Sequence, residues 1–208
     1  MTPSLAKTSS HEILRRYGVQ INESLPEIEP REGLHPQDER SVAIRCVVLS
    51  HVIGIGFGGD AARLKGLLEE FDLYQFASPG EQDLLSRHEH TEQERVNATW
   101  LTECVQSLAW CLGLVDLDPF RRCDDDLASH LPPPAADPRD FVSKATSRSF
   151  DEIYQQADLH YRLHWAARNA RLMRYVCRVS EGLIGERRKA LDWVVGVAAN
   201  WDEIPDNT

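Results

Sequence analysis

The residues best suited to chemistry are charged side chains that interrupt the apolar faces of two long C-terminal segments, residues 150–175 and 181–199. At about 100° per residue around a helix, Arg162 falls between two apolar stripes of the first segment. Arg187 falls near the middle of the apolar arc of the second, with Glu186 at its edge. Because an unpaired buried guanidinium costs several kcal/mol, these groups must find partners. We therefore predict one semi-buried polar network made of Asp158, Arg162, Trp165, Arg168, Asn169, Glu186 and Arg187.

The predicted polar network has two interpretations. In one, it is an ion network that fixes how the two helices pack, and its residues are structural. In the other, it lines a cleft in which an arginine binds an anionic group in bidentate fashion and Glu186 serves as a general acid or base. No complete catalytic constellation accompanies it, so the sequence assigns no catalytic residue and leaves open whether the protein is an enzyme.

Histidine and aspartate patterns that resemble metal sites are incomplete. His160 and His164 are four residues apart, a spacing at which both rings can reach one metal ion. They are predicted to lie on the outer side of their helix with Arg171 and Arg174, which would repel a cation. The acidic triplet 124–126 lacks the glycine and the distal glutamate of a calcium loop. We therefore predict neither a metal nor a cofactor.

A glycine-rich string at residues 54–59 fits G-x-G-x-x-G. In a dinucleotide site this motif follows a strand and opens a helix inside a parallel α/β unit. A helix is predicted to follow at Asp60, but residues 42–53 begin like a helix and the chain shows no series of strands. We therefore interpret the string as a loop that ends a helix.

The elements that position these residues are helices throughout. Apolar residues recur with helical spacing and no hairpin signal is present, so we predict an all-α single domain over residues 1–208 with about seven or eight helices. Arg188, Lys189 and Asp192 are predicted to face solvent. The predicted helices are one that ends at Tyr17 with Ser9 or Ser10 as its cap, then 36–53 opened by Pro36, 60–71, one beginning at Ser78, 91–112, 138–146, 150–175 and 181–199.

A proline-rich, acidic stretch at residues 118–137 precedes the last three predicted helices. It contains three consecutive prolines at 132–134 and three consecutive aspartates at 124–126. A loop of about twenty residues is long for a compact domain. The stretch therefore either joins two subdomains or wraps the surface of one.

The net charge and the cysteine usage limit which binding partners and which cellular compartment are expected. The net charge is −10, and residues 1–149 carry −9 of it. This field repels nucleic acid and anionic membranes and steers a basic partner toward the N-terminal two-thirds. The five cysteines are odd in number and form no C-x-x-C, which favours a reduced, cytosolic protein. No signal-peptide pattern and no apolar run of about 18 residues is present, so no membrane span is predicted.

Two stretches of the sequence also resemble a known family. Residues 158–171 and 186–193 are similar to the signature of a bacterial family, domain of unknown function 4272. The resemblance implies family membership but no established activity, and it supplies no catalytic residue. The chain departs from the family pattern at Asn169, Arg188 and Asp192, where the pattern favours Asp, His and Asn. Trp201-Asp202 follows the second stretch as part of the same signature. Weaker similarities extend the resemblance over nearly the whole chain: Leu25-Pro26, Glu39-Arg40-Ser41, Ala77-Ser78-Pro79 with Glu81, Trp110-Cys111-Leu112-Gly113, and Leu117 with Pro119.

The favoured function is a non-enzymatic binding or interaction module of a bacterial cytosol. A concrete form captures a basic protein partner on its acidic surface, as immunity proteins capture toxins. The alternative is an enzyme or a small anionic-ligand binder with its cleft at Arg162, Glu186 and Arg187. The sequence does not indicate the oligomeric state.

Overall fold

Local capping and stop signals set the bounds of eight α-helices within residues 1–205, the residues that the computed structural model describes. No strand occurs among these residues, which confirms the predicted all-α, single-domain fold; the last three residues of the predicted 1–208 domain lie outside this range. None of the described helices is long and apolar enough to cross a bilayer. Short 3-10 turns lie at Arg31–Gly33, Tyr74–Phe76, Leu127–His130 and Trp201–Glu203. The helices are α1 (Pro3–Tyr17), α2 (Glu39–Gly56), α3 (Ala61–Glu70), α4 (Pro79–Ser86), α5 (Glu92–Cys111), α6 (Arg139–Ser143), α7 (Phe150–Met173) and α8 (Glu181–Val195).

The predicted starts of the helices at Ser78 and at residue 91 are confirmed. Ser78 before α4 and Thr91 before α5 each accept a hydrogen bond from the backbone three residues on. The carboxylates of Glu81 and Glu94 accept from the backbone N–H of those same caps, which completes both capping boxes. These motifs satisfy backbone donors that the first turn leaves without a partner, so they fix where the helices begin.

Two other predicted helix starts are wrong. α1 begins at Pro3 with Thr2 as its cap, so the predicted caps at 9–10 lie inside the helix. A hydroxyl followed directly by proline is itself a sufficient start signal. α2 begins after Asp38, whose carboxylate accepts a first-turn backbone N–H at 2.6 Å, and Pro36 lies before the helix.

The last two helices end earlier than the periodicity predicts. α7 ends at Met173, short of residue 175, because Arg174 adopts the left-handed conformation with φ 59°. α8 ends short of residue 199 because Gly196 adopts the same conformation with φ 88°. Such a residue stops a helix whatever the apolar spacing beyond it, and for that reason spacing alone overestimates both lengths.

Helix packing places α8 against both α5 and α7. α2 packs on α5, α5 on α8, α8 on α7, and α1 also packs on α7, while α3 lies against α2 and α4. The main core lies among α2, α5 and α8, and a smaller core cluster that includes Leu14, Leu163 and Ile184 joins α1, α7 and α8. Gln155 of α7 donates to the Ala6 carbonyl of α1 at 3.2 Å. The two helices that carry the predicted site therefore each have more than one neighbour.

Gly56, within the glycine-rich string 54–59, lies where α2 contacts α5. α2 continues to Gly56, so a helix occupies the place where a dinucleotide motif requires a strand. A Cβ at Gly56 would lie 2.8 Å from the Arg95 carbonyl oxygen and 2.7 Å from Thr99 Cγ2. The absence of a side chain at this position lets the two helices approach closely.

Candidate functional site

The structure divides the predicted polar network into separate contacts, of which the first is an ion pair inside α7. Arg162 is 1% exposed and Asp158 is 0% exposed. Arg162 Nε and Nη2 donate to the two Asp158 carboxylate oxygens at 2.8 and 2.7 Å, and Nη2 also donates to the Pro26 carbonyl at 3.3 Å. The guanidinium therefore satisfies both oxygens of its neighbour and ties the segment between α1 and α2 to α7.

The second contact joins α8 to α5 and to the acidic stretch. Arg187, also buried, donates from Nε to Glu103 Oε2 at 2.9 Å, and its Nη2 lies 2.8 Å from the same oxygen in an ion pair. Its Nη1 and Nη2 donate to the backbone carbonyls of Asp118 and Arg121 at 2.6 and 2.8 Å. The start of the acidic stretch, at residues 118–121, is therefore held against the domain by a buried side chain.

Glu186 takes part in neither ion pair. Within residues 1–205 its Oε2 lies 3.1 Å from the Cys104 Sγ of α5. Burial raises the pKa of the Cys104 thiol well above its usual range, and the nearby Glu186 carboxylate raises it further. The sulfur therefore stays protonated. The thiol therefore donates a hydrogen bond to Glu186 and is not an activated nucleophile.

The other three predicted residues lie along α7, outside these contacts. Trp165 is half-buried against the smaller core cluster, and Arg168 is half-buried on the same helix. Asn169 Nδ2 donates to Gln20 Oε1 at 3.1 Å and lies 3.2 Å from the Tyr175 hydroxyl. Asn169 therefore ties α7 to the segments that follow α1 and α7.

A cleft of about 480 Å³ lies between α7 and α8. Gly182 and Gly185 form part of its α8 wall, and a Cβ at Gly185 would stand 3.6 Å from His164 Nε2. Glycine at these positions therefore leaves space that longer side chains would fill. The charged or titratable residues of the lining are His164, Arg171, Glu181, Glu186, Arg188 and Lys189.

Several side chains predicted on the outer faces of the two helices are in fact buried: His160, His164, Arg188 and Asp192. Arg188 Nε donates to Asp192 Oδ2 at 3.0 Å, and Arg188 Nη1 lies 3.3 Å from His164 Nδ1. His160 Nδ1 lies 2.9 Å from the Gln156 carbonyl. The prediction is wrong because α7 and α8 each pack against more than one helix. The i,i+4 spacing of Arg188 and Asp192 was the available signal for this pair.

Burial of Asp192 makes stability depend on pH. Burial raises the pKa of Asp192 to about 6, although neighbouring Arg188 lowers it. The pKa of Asp192 in the folded protein lies above its unfolded value of about 3.9, so protonation of Asp192 stabilises the folded state. This stabilisation is complete below about pH 4 and is lost as pH rises through about 6. We expect Asp192→Asn, which stays neutral, to gain roughly 2–3 kcal/mol of unfolding free energy relative to wild type between pH 4 and pH 7.

Urea denaturation of both proteins across that pH range measures the difference. Burial lowers the pKa of His160 to about 3, which gives an opposite slope, but both proteins share it and it cancels in the comparison. A difference between variant and wild type that stays constant with pH would contradict the prediction.

Fold and cleft together define an all-α, single-domain protein with a charged cleft between its two C-terminal helices. The chain belongs to the family described as Domain of unknown function (DUF4272), whose model matches residues 6–204. This match confirms the resemblance of the strings 158–171 and 186–193, which form the two walls of the cleft. No curated protein and no solved structure matches the chain.

Proposed function

We propose that this protein is a binding module that holds a small anionic ligand in the cleft between α7 and α8. The observation that carries the proposal is the convergence of Arg171, Arg188, Lys189 and His164 on a space of about 480 Å³, in a chain of net charge −10. Small-molecule sites have volumes of roughly 300–1,000 Å³. An anion is favoured in this cleft relative to the acidic remainder of the surface.

The N-terminus of α8 adds to the attraction for an anion. Its N-cap residue, Ser180, makes no side-chain capping hydrogen bond, whereas Ser149 caps α7. The first-turn residues Glu181 and Gly182 border the cleft, and Gly182 has no side chain to cover the backbone. Helix N-termini of this kind bind carboxylate or phosphate oxygens because their backbone N–H groups and the helix dipole both favour negative charge.

The acidic residues of the cleft narrow the class of ligand. Glu186 lines the same space and would repel a ligand that is negative throughout. A ligand that also carries a hydroxyl or an ammonium group meets this carboxylate with a donor. Arg171 donates to both Glu181 oxygens, at 2.5 and 3.2 Å, and stays partly exposed, so a ligand carboxylate can compete for it. The class that fits is a small hydroxy acid, amino acid or phosphorylated counterpart.

Calorimetric titration with malate, glutamate and glycerol 3-phosphate tests the proposal. We expect at least one of the three to bind with a dissociation constant below about 1 mM. Gly185→Leu fills the cleft beside His164, and we expect it to weaken that binding by about tenfold or more. The matched control is Gly66→Leu on α3, where an added side chain meets open space. Absence of binding by all three compounds, or equal binding by both variants, would refute the proposed function.

The acidic stretch favours a second candidate function, the capture of a basic protein partner. Asp118, Asp125 and Asp126 are exposed there. Arg187 holds the backbone of this stretch from inside the domain. The carboxylates are therefore pre-organised, so less ordering entropy is lost when a partner binds.

Fluorescence anisotropy with a labelled lysine-rich peptide at low salt tests this second candidate. We expect Asp125→Asn/Asp126→Asn to weaken binding by about threefold or more. The control, Glu69→Gln/Glu70→Gln, removes the same charge from exposed positions on α3 and is expected to change binding much less. Equal effects of the two double variants would show that only net charge matters and would exclude a specific site on this stretch.

A further inference from the structure

A second cavity, of about 290 Å³, lies between the start of α2, the start of α4 and the turn Trp201–Glu203. It shares no lining residue with the cleft between α7 and α8. Four of the segments on which the family resemblance rests contribute to it, through Ser41, Ser78, Trp193 and Trp201. Parts of the chain that are distant in sequence therefore enclose one space.

Arg45 is the charged residue in the lining of this cavity. It is 4% exposed and lies within the otherwise apolar run 42–49 of α2. Its Nη1 donates to the Phe76 carbonyl at 3.1 Å, and its Nη2 donates to Glu81. Its Nε–H is buried and has no hydrogen-bond partner within residues 1–205. A buried donor without a partner is unfavourable, so an acceptor that reaches this group stabilises it.

Glu81 balances the charge of Arg45 without filling that position. The Glu81 carboxylate accepts from Arg45 and from the Ser78 backbone N–H at 2.9 Å, and so also completes the capping box of α4. The ion pair is buried and electrically neutral. What Arg45 offers to a ligand is therefore a directional N–H, which suits a single acceptor group better than a polyanion.

Aromatic side chains supply part of the cavity wall. The centre of the Trp201 ring lies 4.4 Å from the Arg45 guanidinium. The Lys189 ammonium lies 4.9 Å from the centre of the same ring. Trp193 meets Trp201 edge to face at 5.7 Å. Phe76 also borders the cavity and is 49% exposed, although phenylalanine is usually buried. Flat aromatic surfaces of this kind pack well against a planar ligand.

We propose that this cavity binds a small planar aromatic molecule that carries a carboxylate or carbonyl acceptor. The acceptor meets the Nε–H of Arg45, and the ring packs between Phe76 and the indoles of Trp193 and Trp201. A cavity of about 290 Å³ holds a ring system no larger than an indole or a purine together with its acceptor group. The site is separate from the anion cleft and does not depend on it.

Saturation-transfer NMR and calorimetry with indole-3-carboxylate test the inference. We expect binding at submillimolar to millimolar concentration. Indole lacks the acceptor and cyclohexanecarboxylate lacks the planar ring, so we expect each to bind at least about fivefold more weakly. Phe76→Ala removes a wall and is expected to weaken binding of indole-3-carboxylate about fivefold. Because Phe76 is half exposed, this variant is expected to fold.

Two variants serve as controls. Phe57→Ala removes an equally large phenylalanine, 74% exposed, that does not line this cavity, and it should leave affinity unchanged. Gly185→Leu fills the other cleft and should also bind indole-3-carboxylate like wild type. The inference is overturned if indole-3-carboxylate does not bind wild type, if indole or cyclohexanecarboxylate binds equally well, or if Phe76→Ala binds as tightly as Phe57→Ala.

Discussion

Replacing Arg162 by methionine is expected to lower the free energy of unfolding by roughly 3–5 kcal/mol, the usual effect of removing one partner from a buried ion pair. The substitution leaves Asp158, which is 0% exposed, without the two hydrogen bonds that satisfy its carboxylate. It also removes the contact with the Pro26 carbonyl. Urea denaturation at pH 7, where an isolated carboxylate is ionised, measures the loss.

The double variant Asp158→Leu/Arg162→Met provides the control. A buried ion pair replaced by apolar residues of similar volume is often neutral in stability, so we expect the double variant to recover most of the loss. This pattern would assign Arg162 to the scaffold, in line with the first interpretation of the predicted network. A loss below about 1 kcal/mol in the single variant would contradict it and would mean that Asp158 finds another partner or neutralises without penalty.

Replacing Arg187 by methionine is expected to cost a similar amount, roughly 3–5 kcal/mol, because Glu103 is then left buried and unpaired. A second effect distinguishes this variant. Arg187 also binds the carbonyls of Asp118 and Arg121, so we expect backbone amides of residues 116–123 to lose protection against hydrogen exchange. Denaturation and exchange measured on the same sample report both effects.

The control for Arg187 is Arg121→Met. Only the backbone carbonyl of Arg121 takes part in the contact and its side chain is exposed, so this variant should keep both stability and exchange protection. If Arg187→Met destabilises the protein but leaves exchange at 116–123 unchanged, then Arg187 does not hold the acidic stretch. The second candidate function would then lose its structural basis.

Sequence reasoning succeeded where the physical cause is local. Capping boxes at Ser78 and Thr91 involve residues three positions apart, so the sequence alone determines them. It failed for Arg188 and Asp192 because apolar spacing indicates which residues share a face but not how many helices pack around it. Arg188 and Asp192 form an ion pair with each other, so both can be buried although neither side chain is apolar.

The predicted clustering of Arg162, Glu186 and Arg187 has a different limit. Arg162 and Arg187 are buried, as their helical positions predict, but the partner of each depends on the tertiary arrangement. Arg187 pairs with Glu103 of α5, which lies far away in sequence, while Arg162 pairs within its own helix. The periodicity of apolar residues does not indicate which carboxylate each arginine pairs with. The sequence does not predict the Arg45 cavity for the same reason, although a single arginine within the otherwise apolar run 42–49 is a usable signal.

The packing of α1 on α7 has a consequence during synthesis. α1 leaves the ribosome well before α7, the helix against which it packs, because α7 begins only at Phe150. At translation rates of about 5–20 residues per second, α1 waits roughly 7–30 s for that partner. During this interval Leu14, which is buried in the finished domain, stays accessible to chaperones and to neighbouring nascent chains. Docking of α1 is therefore a late event in the life of each newly made chain.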